Sequence, residues 1–274
     1  MAVKNKRYKT KKNDHSNAIT RLLLVAAILL FVGFFSLDYF NKQEKSKIDT
    51  DTSCLIKSKN VVAVLFDDTD PIDYTEQEET TNLLDTVADG LPRYAKISLY
   101  TVSSYNHKKI KPFFEICNPG SEKEATSLTA NTKLVRAKHK KYKEILKNKI
   151  QALFTESSKE KSPIMEMSKF VVVDAFKNMD RSADQSMDLI VLSDFLQNSD
   201  DFSLFKNGKS MNFQDYKKIF HWKKVKTDMK GINVTRVQFV RKSAKQNEKL
   251  EDFWLNFYKN QQAEIKPVNG WGTR

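Results

Sequence analysis

Apolar residues are spaced in three ways along this chain, and each spacing predicts a different kind of element. From Leu22 to Leu37 the sequence is apolar and uncharged over a stretch comparable with a membrane span. Shorter continuous apolar runs, such as Val61 to Phe66, are typical of strands buried on both faces of a sheet. Apolar positions at intervals of three and four residues, as in Tyr142 to Phe154, predict helices.

The long apolar run predicts one transmembrane helix over residues 19–40. With its flanking residues it reaches about 20 residues, roughly the length that crosses a hydrocarbon core of about 30 Å. Arg21 can reach one headgroup layer, while Tyr39 and Phe40 suit the opposite interface. A cleaved signal peptide is disfavoured because the run is long for such a segment and no A-x-A-like site follows it.

Basic residues predict the orientation of this helix. They are concentrated in residues 1–18, whereas those just after the helix are partly balanced by acids. We therefore expect a basic cytoplasmic tail at residues 1–18, an anchor in the inner (cytoplasmic) membrane and a C-terminal domain that is periplasmic or extracellular. Residues 41–58 are polar and lack periodicity, which predicts a linker. The folded domain is then expected over residues 59–274.

Strand and helix patterns alternate through that domain. This alternation predicts an α/β fold with a mostly parallel central sheet and helices on both faces. In such sheets, ligands bind at the carboxyl ends of the strands. The predicted strands are 61–66, 95–102, 110–116, 188–193 and 232–240, and the predicted helices are 74–90 (with Thr75 as a candidate cap), 142–154, 163–179, near 212–222 and 248–263.

Charge and composition exclude several functions. The net charge is +13. The positive excess outside the N-terminal 50 residues is mild, so nucleic acid is not an expected partner. Histidines and cysteines show no zinc-ligand spacing, and glycine-rich phosphate loops are missing. Cys54 and Cys117 are the only cysteines; in an oxidising compartment they can form one disulfide, with two free thiols as the alternative. The basic cluster Arg136 to Lys143 fits either a solvated helix face or contact with anionic lipid or a partner.

Oxygen-bearing side chains follow two of the predicted strands and precede a helix. Asp67, Asp68, Thr69 and Asp70 come directly after the first strand, and Asp194 follows the later apolar strand. Ser162 stands just before the helix that begins near Pro163. Carboxylate and hydroxyl oxygens from separate loops suit Mg²⁺, which favours oxygen ligands and keeps several waters.

This order of motifs resembles the von Willebrand factor A-like fold, whose metal ion-dependent adhesion site uses D-x-S-x-S, then a Thr, then an Asp in successive loops. The resemblance extends over roughly residues 60–260 and implies a Rossmann-like sheet. It also implies that Mg²⁺, or alternatively Mn²⁺, is held by a set of four residues and accepts an acidic residue from a partner protein. That metal set is Asp67, Thr69, Ser162 and Asp194.

The chain departs from the family pattern at three positions. Pro71 stands where a second hydroxyl is expected, Ser162 replaces Thr, and Phe195 stands where a Gly follows the last acid. The expected function is that of a membrane-anchored, non-catalytic binding module in an envelope assembly. It would bind its protein partner through the metal or by shape alone.

Two other interpretations use the same residues. The run ending in Asp68 and Asp70 also resembles the opening motif of haloacid dehalogenase-like phosphohydrolases, with Asp68 as nucleophile, Asp70 as general acid and base, and Asp200 and Asp201 as a later acidic pair. Alternatively, the polar residues only cap helices, with Ser162 as an ordinary N-cap before a proline.

Overall fold

The chain forms two compact units, Met1–Ile48 and Asp49–Arg274. This computed structural model describes residues 22–33, 36, 54–55, 58–105, 110–121, 131–154, 159–179, 185–204, 211–240 and 248–267. Residues 22–33 are helical with exposed apolar side chains. The remainder of the predicted anchor except Ser36, the predicted tail 1–18 and most of the predicted linker 41–58 lie outside the described residues. Within the described ranges, no helix combines the length and apolar character needed to cross a membrane.

The second unit is built on a six-stranded sheet with the order β3-β2-β1-β4-β5-β6. Neighbouring strands are parallel except β2 and β3, which are antiparallel. Six of the seven residues of the central strand β1 are buried, as its continuous apolar sequence predicts. The strands are β1 (Asn60–Phe66), β2 (Lys96–Thr101), β3 (Phe114–Cys117), β4 (Ser186–Ser193), β5 (Ile232–Gln238) and β6 (Glu264–Lys266).

Helices cover both faces of the sheet, which confirms the mostly parallel α/β architecture. Alternate residues of β1 point to opposite faces, so Val62, Val64 and Phe66 enter one core and Val61 and Leu65 enter the other. Helices α1 and α2 close the first core, and α3 to α6 close the second. The helices are α1 (Tyr74–Gly90), α2 (Thr132–Leu153), α3 (Ile164–Phe176), α4 (Phe213–Tyr216), α5 (Phe220–Val225) and α6 (Glu248–Lys259).

One helix cap and one helix start differ from the prediction. The cap of α1 is Asp73, not Thr75: the Asp73 carboxylate accepts the Glu76 amide while the Glu76 side chain accepts the Asp73 amide. Helix α2 begins at Thr132, ten residues before the predicted start at Tyr142. The periodicity failed there because the first three turns are polar and bury no side chain in the core.

The C-terminal third also departs in detail. The aromatic segment predicted as one helix near 212–222 forms the two short helices α4 and α5. Helix α6 ends at Lys259, before the predicted end at residue 263. A sixth strand, β6, which was not predicted, follows it. The aromatic residues of α6 pack in the core: Phe253, Trp254, Phe257 and Tyr258 are each at most 2 % exposed.

A disulfide joins Cys54 to Cys117 with their Cα atoms 5.0 Å apart. Cys117 is the last residue of β3 and lies opposite Lys96, the first residue of β2. We call the edge of the sheet where β1, β2, β4 and β5 begin the amino edge, and the edge where they end the carboxyl edge. The disulfide therefore fastens the start of the second unit at the amino edge.

Candidate functional site at the carboxyl edge

The carboxylate of Asp67, directly after β1, accepts hydroxyl groups from its own loop, from the loop before α3 and from the last residue of β4. Its Oδ1 accepts the Thr69 hydroxyl at 2.6 Å and the Thr69 amide at 3.2 Å. Its Oδ2 accepts the hydroxyls of Ser162 at 2.9 Å and Ser193 at 2.6 Å. Asp67 is 5 % exposed, so these bonds replace the water that an ionised carboxylate needs.

Ser162 does not cap the helix that follows it. The N-cap of α3 is Pro163, which provides no side-chain cap, and the Ser162 hydroxyl donates to Asp67 instead. Ser162 also exchanges two backbone hydrogen bonds of 2.8 Å with Asn198, in the loop after β4. The Lys159 amide donates to the Thr69 carbonyl at 3.0 Å. The loop before α3 is therefore attached to both strand-end loops.

The loop after β4 has an unusual backbone at Phe195, the position where the family pattern has glycine. Its φ of 60° lies in the left-handed region, which costs a non-glycine residue roughly 1–2 kcal/mol. The Trp254 indole of α6 donates to the Phe195 carbonyl at 2.8 Å, and the two rings pack edge to face with centroids 5.3 Å apart. Contacts with α6 thus hold a conformation that glycine would adopt without strain.

The predicted metal set is only partly assembled for direct coordination. The hydroxyls of Thr69 and Ser162 each donate to Asp67, and Asp194 follows Ser193 directly. Asp194 is 5 % exposed, and its Oδ1 accepts the Leu196 amide at 2.9 Å. No group of three or more His, Cys, Asp or Glu side chains able to hold a metal occurs in the part of the chain that the structure describes.

Hydrogen bonds decide which atoms of this set fit a cation. Asp67 has about four lone-pair positions, and four donors already fill them, so this carboxylate does not fit as a direct ligand. The Thr69 and Ser162 hydroxyls donate to Asp67 and keep their own lone pairs. They fit Mg²⁺ or Mn²⁺ as ligands, with Asp67 supplying negative charge one bond further away.

Asp68 faces a different neighbour. Its carboxylate accepts the Ser103 amide at 2.8 Å through one oxygen and the Ser103 hydroxyl through the other. Burial raises the pKa of Asp68, and the hydrogen bonds from Ser103 only partly offset it. Both oxygens of the candidate phosphohydrolase nucleophile are therefore occupied by a structural partner.

The other members of the phosphohydrolase set are dispersed. Asp70 is exposed to solvent. Asp200 pairs with Lys161 at 2.7 Å, and Asp201 pairs with Lys224 at 2.8 Å, both at the surface. These ion pairs hold Asp200 and Asp201 in surface contacts with two lysines.

A buried polar network beside the site was not expected from the sequence. Glu166 of α3 has its Oε1 within 2.8 Å of His221 Nε2. Its Oε2 accepts a hydrogen bond from the side-chain amide of Gln197 at 2.8 Å. The other ring nitrogen of His221 lies 2.7 Å from the Tyr216 hydroxyl. Gln197 also accepts the Met165 amide at 2.9 Å, which joins the loop after β4 to the first turn of α3. The only sequence signal was polar residues inside strongly apolar segments.

The ionisation of Glu166 depends on this network. Burial raises the pKa of Glu166, but the hydrogen bonds from His221 and Ser199 outweigh burial and hold that pKa below its ordinary value of 4.5. The network therefore contains a carboxylate that remains charged although it is buried.

Comparisons with known proteins give likenesses to solved structures alone. No family model matches the chain, and no curated protein matches it. Among solved structures, it is similar to an aerotolerance-related membrane protein from Bacteroides fragilis, crystallised with multiple mutations to serine. The identity is 9 %, the match covers 77 % of this chain and 92 % of that chain, and the TM-score is 0.35. We assign no function from a score of this size.

Removing the central carboxylate should destabilise the whole edge. In Asp67→Ala, three buried hydroxyls lose their acceptor, and we expect the free energy of unfolding to fall by roughly 2–4 kcal/mol. Asp67→Asn keeps the size of the side chain and should cost less. The measurement is urea unfolding of the full-length chain in detergent, followed by the fluorescence of the buried Trp222 and Trp254.

Asp70→Ala is the matched control for Asp67→Ala, since Asp70 is an exposed aspartate three residues away. Its effect should lie within about 0.5 kcal/mol of zero. Equal stabilities of the two alanine variants would mean that the hydroxyl cluster does not hold the three loops together.

Glu166 should make stability depend on acid. A carboxylate whose folded pKa lies below its unfolded value stabilises the fold above the unfolded pKa, and that stability is lost as the pH falls through the folded pKa. Wild type should therefore lose more free energy of unfolding between about pH 6 and about pH 3 than Glu166→Gln. Parallel curves for the two proteins across this range would show that Glu166 is not ionised in the fold.

Proposed function

We propose that this chain is a membrane-anchored, non-catalytic binding module of the von Willebrand factor A-like type, which joins another protein in an envelope assembly on the extracytoplasmic side. The supporting observation is the bonding of Asp67 to hydroxyls of Thr69, Ser162 and Ser193. These hydroxyls come from three separate segments of the chain. The buried Asp67 carboxylate therefore determines the geometry of the surface above them. A recognition surface needs such preorganisation.

Exposed residues beside the buried cluster provide the contact surface. Tyr74 is 79 % exposed and begins α1 directly after the Asp67 loop. The ion pair of Lys161 with Asp200 lies next to Ser162 and near the loop after β4. Tyrosine is enriched among residues that dominate binding energy at protein interfaces. We therefore assign Tyr74 as the central contact, surrounded by charged residues.

A divalent cation is a second element of the proposal. The hydroxyl oxygens of Thr69 and Ser162 favour Mg²⁺, with Mn²⁺ as the alternative, and Asp67 and Asp194 supply negative charge nearby. A bound cation with open positions would attract an acidic residue of the partner. Without the cation, the exposed residues beside the cluster bind the partner by shape and hydrogen bonds.

The phosphohydrolase alternative has less support. A nucleophilic carboxylate must reach a phosphorus atom, whereas Asp68 is 3 % exposed and bonded to Ser103 through both oxygens. Asp70 lies in solvent rather than facing Asp68 across a cavity. A binding role uses the same loops without needing a free carboxylate.

Photo-crosslinking at Tyr74 tests the binding function. A photoreactive phenylalanine analogue replaces Tyr74 in the full-length chain, and membranes of the native cells are irradiated. We expect one discrete adduct with a partner protein. Lys230 is the control position because it is exposed and lies two residues before β5, at the amino edge of the sheet.

The yields of these adducts decide among the models. Adducts of equal yield at Tyr74 and Lys230, or none at Tyr74, would contradict a binding surface at the carboxyl edge. If chelation with EDTA removes the Tyr74 adduct and Mg²⁺ restores it, the metal takes part in recognition. An unchanged yield in EDTA means that the partner is bound without metal.

The disulfide supports export of the folded unit, because disulfides are rare in the cytosol and persist in oxidising compartments. In intact cells treated with a thiol-alkylating reagent, Cys54 and Cys117 should remain unmodified until the sample is reduced. Electrophoresis with a mass-tagged reagent measures this. Both thiols reacting before reduction would argue for a cytoplasmic domain and against the predicted orientation.

A further inference from the structure

The first three turns of α2 form a basic helix that covers no core. Residues 131–143 contain six Lys or Arg residues and no Asp or Glu. From Thr132 to Lys141 every side chain is exposed or half-buried, and Tyr142 is the first residue of α2 in the core. We call residues 132–141 the basic overhang. Its sequence is not explained by packing against the sheet.

Five of the eight positive side chains of α2 are aligned along one face. Lys133, Arg136, Lys140, Lys143 and Lys147 follow one another at intervals of three and four residues, which places them in one stripe. Lys143 is neutralised by Asp85 and Asp89 of α1, at 2.6 and 2.7 Å. Lys133 and Lys140 form no salt bridge with any residue in the described ranges. These two lysines are therefore available to an external anion.

An exposed apolar residue lies among these charges. Leu134, between Lys133 and Arg136, is 54 % exposed. A helix that binds at a bilayer surface combines basic side chains at the headgroups with apolar side chains that enter the interface. The overhang has both features within one turn.

The overhang lies at the amino edge of the sheet. His139 is 3.6 Å from Asp89, in the last turn of α1, which ends just before β2 begins. The opposite end of α2 reaches the carboxyl edge, where Phe154 packs on Phe66 with ring centroids 5.8 Å apart. Helix α2 therefore runs from the amino edge to the carboxyl edge, with its basic end first.

The chain enters the second unit at this same edge. Cys54 is fastened to Cys117 there, and the predicted anchor ends at residue 40, 14 residues earlier (54 minus 40). A fully extended segment of that length spans at most about 50 Å. A tether of this length limits how far the amino edge, and with it the basic overhang, can move from the lipid headgroups.

We propose that the basic overhang of α2 binds the surface of a bilayer that contains anionic lipids, with Leu134 entering the interface. This inference rests on the proposed anchor, but not on the partner site. The covalent connection to an apolar segment favours a bilayer over a nucleic acid or an acidic protein as the anionic surface. Such attraction acts only within about one Debye length, roughly 8 Å at physiological salt, so the tether limits the search for the surface, and the basic side chains and Leu134 must hold the overhang there.

The test places a polarity-sensitive fluorophore on the overhang. Leu134→Cys provides a single labelling site in the full-length chain, because the only two native cysteines form the disulfide. The labelled chain is reconstituted into nanodiscs of phosphatidylcholine alone or mixed with phosphatidylglycerol. In the anionic discs we expect a blue shift of the emission and quenching by acrylamide reduced roughly threefold; in the neutral discs we expect neither.

Two controls make the result specific. The same fluorophore at Glu78→Cys, an exposed position in the half of α1 near the carboxyl edge, should respond to neither lipid. Adding Lys133→Glu and Lys140→Glu should abolish the response at position 134. The same charge change at two exposed lysines elsewhere, Lys217→Glu and Lys223→Glu, should leave it intact.

Each outcome has a definite meaning. If the chain enters both kinds of disc but the label at position 134 responds equally in both, the overhang does not bind anionic lipid, and the anchor stands. A response that survives Lys133→Glu and Lys140→Glu also overturns the inference. If the chain is not recovered in discs of either composition, the anchor is wrong and this inference fails with it.

Discussion

A buried negative charge at the end of the central strand is the constraint on which the rest of this fold depends. Six of the seven residues of strand β1 are buried. Asp67, which follows the strand directly, is buried in the protein as well. An ionised carboxylate is stable there only if donors surround it. The chain supplies those donors from segments far apart in sequence, so the convergence of three loops follows from a single acid.

The two edges of the sheet carry different features. Acids follow the strand ends at the carboxyl edge, where most of them are bonded to hydroxyls, amides or lysines. The basic overhang of α2 and the disulfide lie at the amino edge. Parallel strands create this difference because all of their beginnings lie at one edge and all of their ends at the other.

Much of the architecture follows from sequence, while the hydrogen-bond directions do not. Continuous apolar runs predict β1 and β4, and helical periodicity predicts α1 to the residue, because burial leaves a strong local signal. Ser162 before Pro163 is locally indistinguishable from an N-cap, and only the tertiary structure turns its hydroxyl toward Asp67. Ser193 carries no separate signal, since serine is common at strand ends. The early start of α2 also escapes periodicity because its first turns pack against no core.

The left-handed backbone at Phe195 makes the site depend on the far end of the chain. A glycine would take that conformation without assistance, whereas Phe195 is held by the indole of Trp254 in the last helix. The loop after β4 therefore reaches its final shape only once α6 has packed. During synthesis from the N-terminus, every loop residue of the site emerges before the tryptophan that sets its geometry. The loops at the carboxyl edge are thus completed last, when the final helix of the domain has packed.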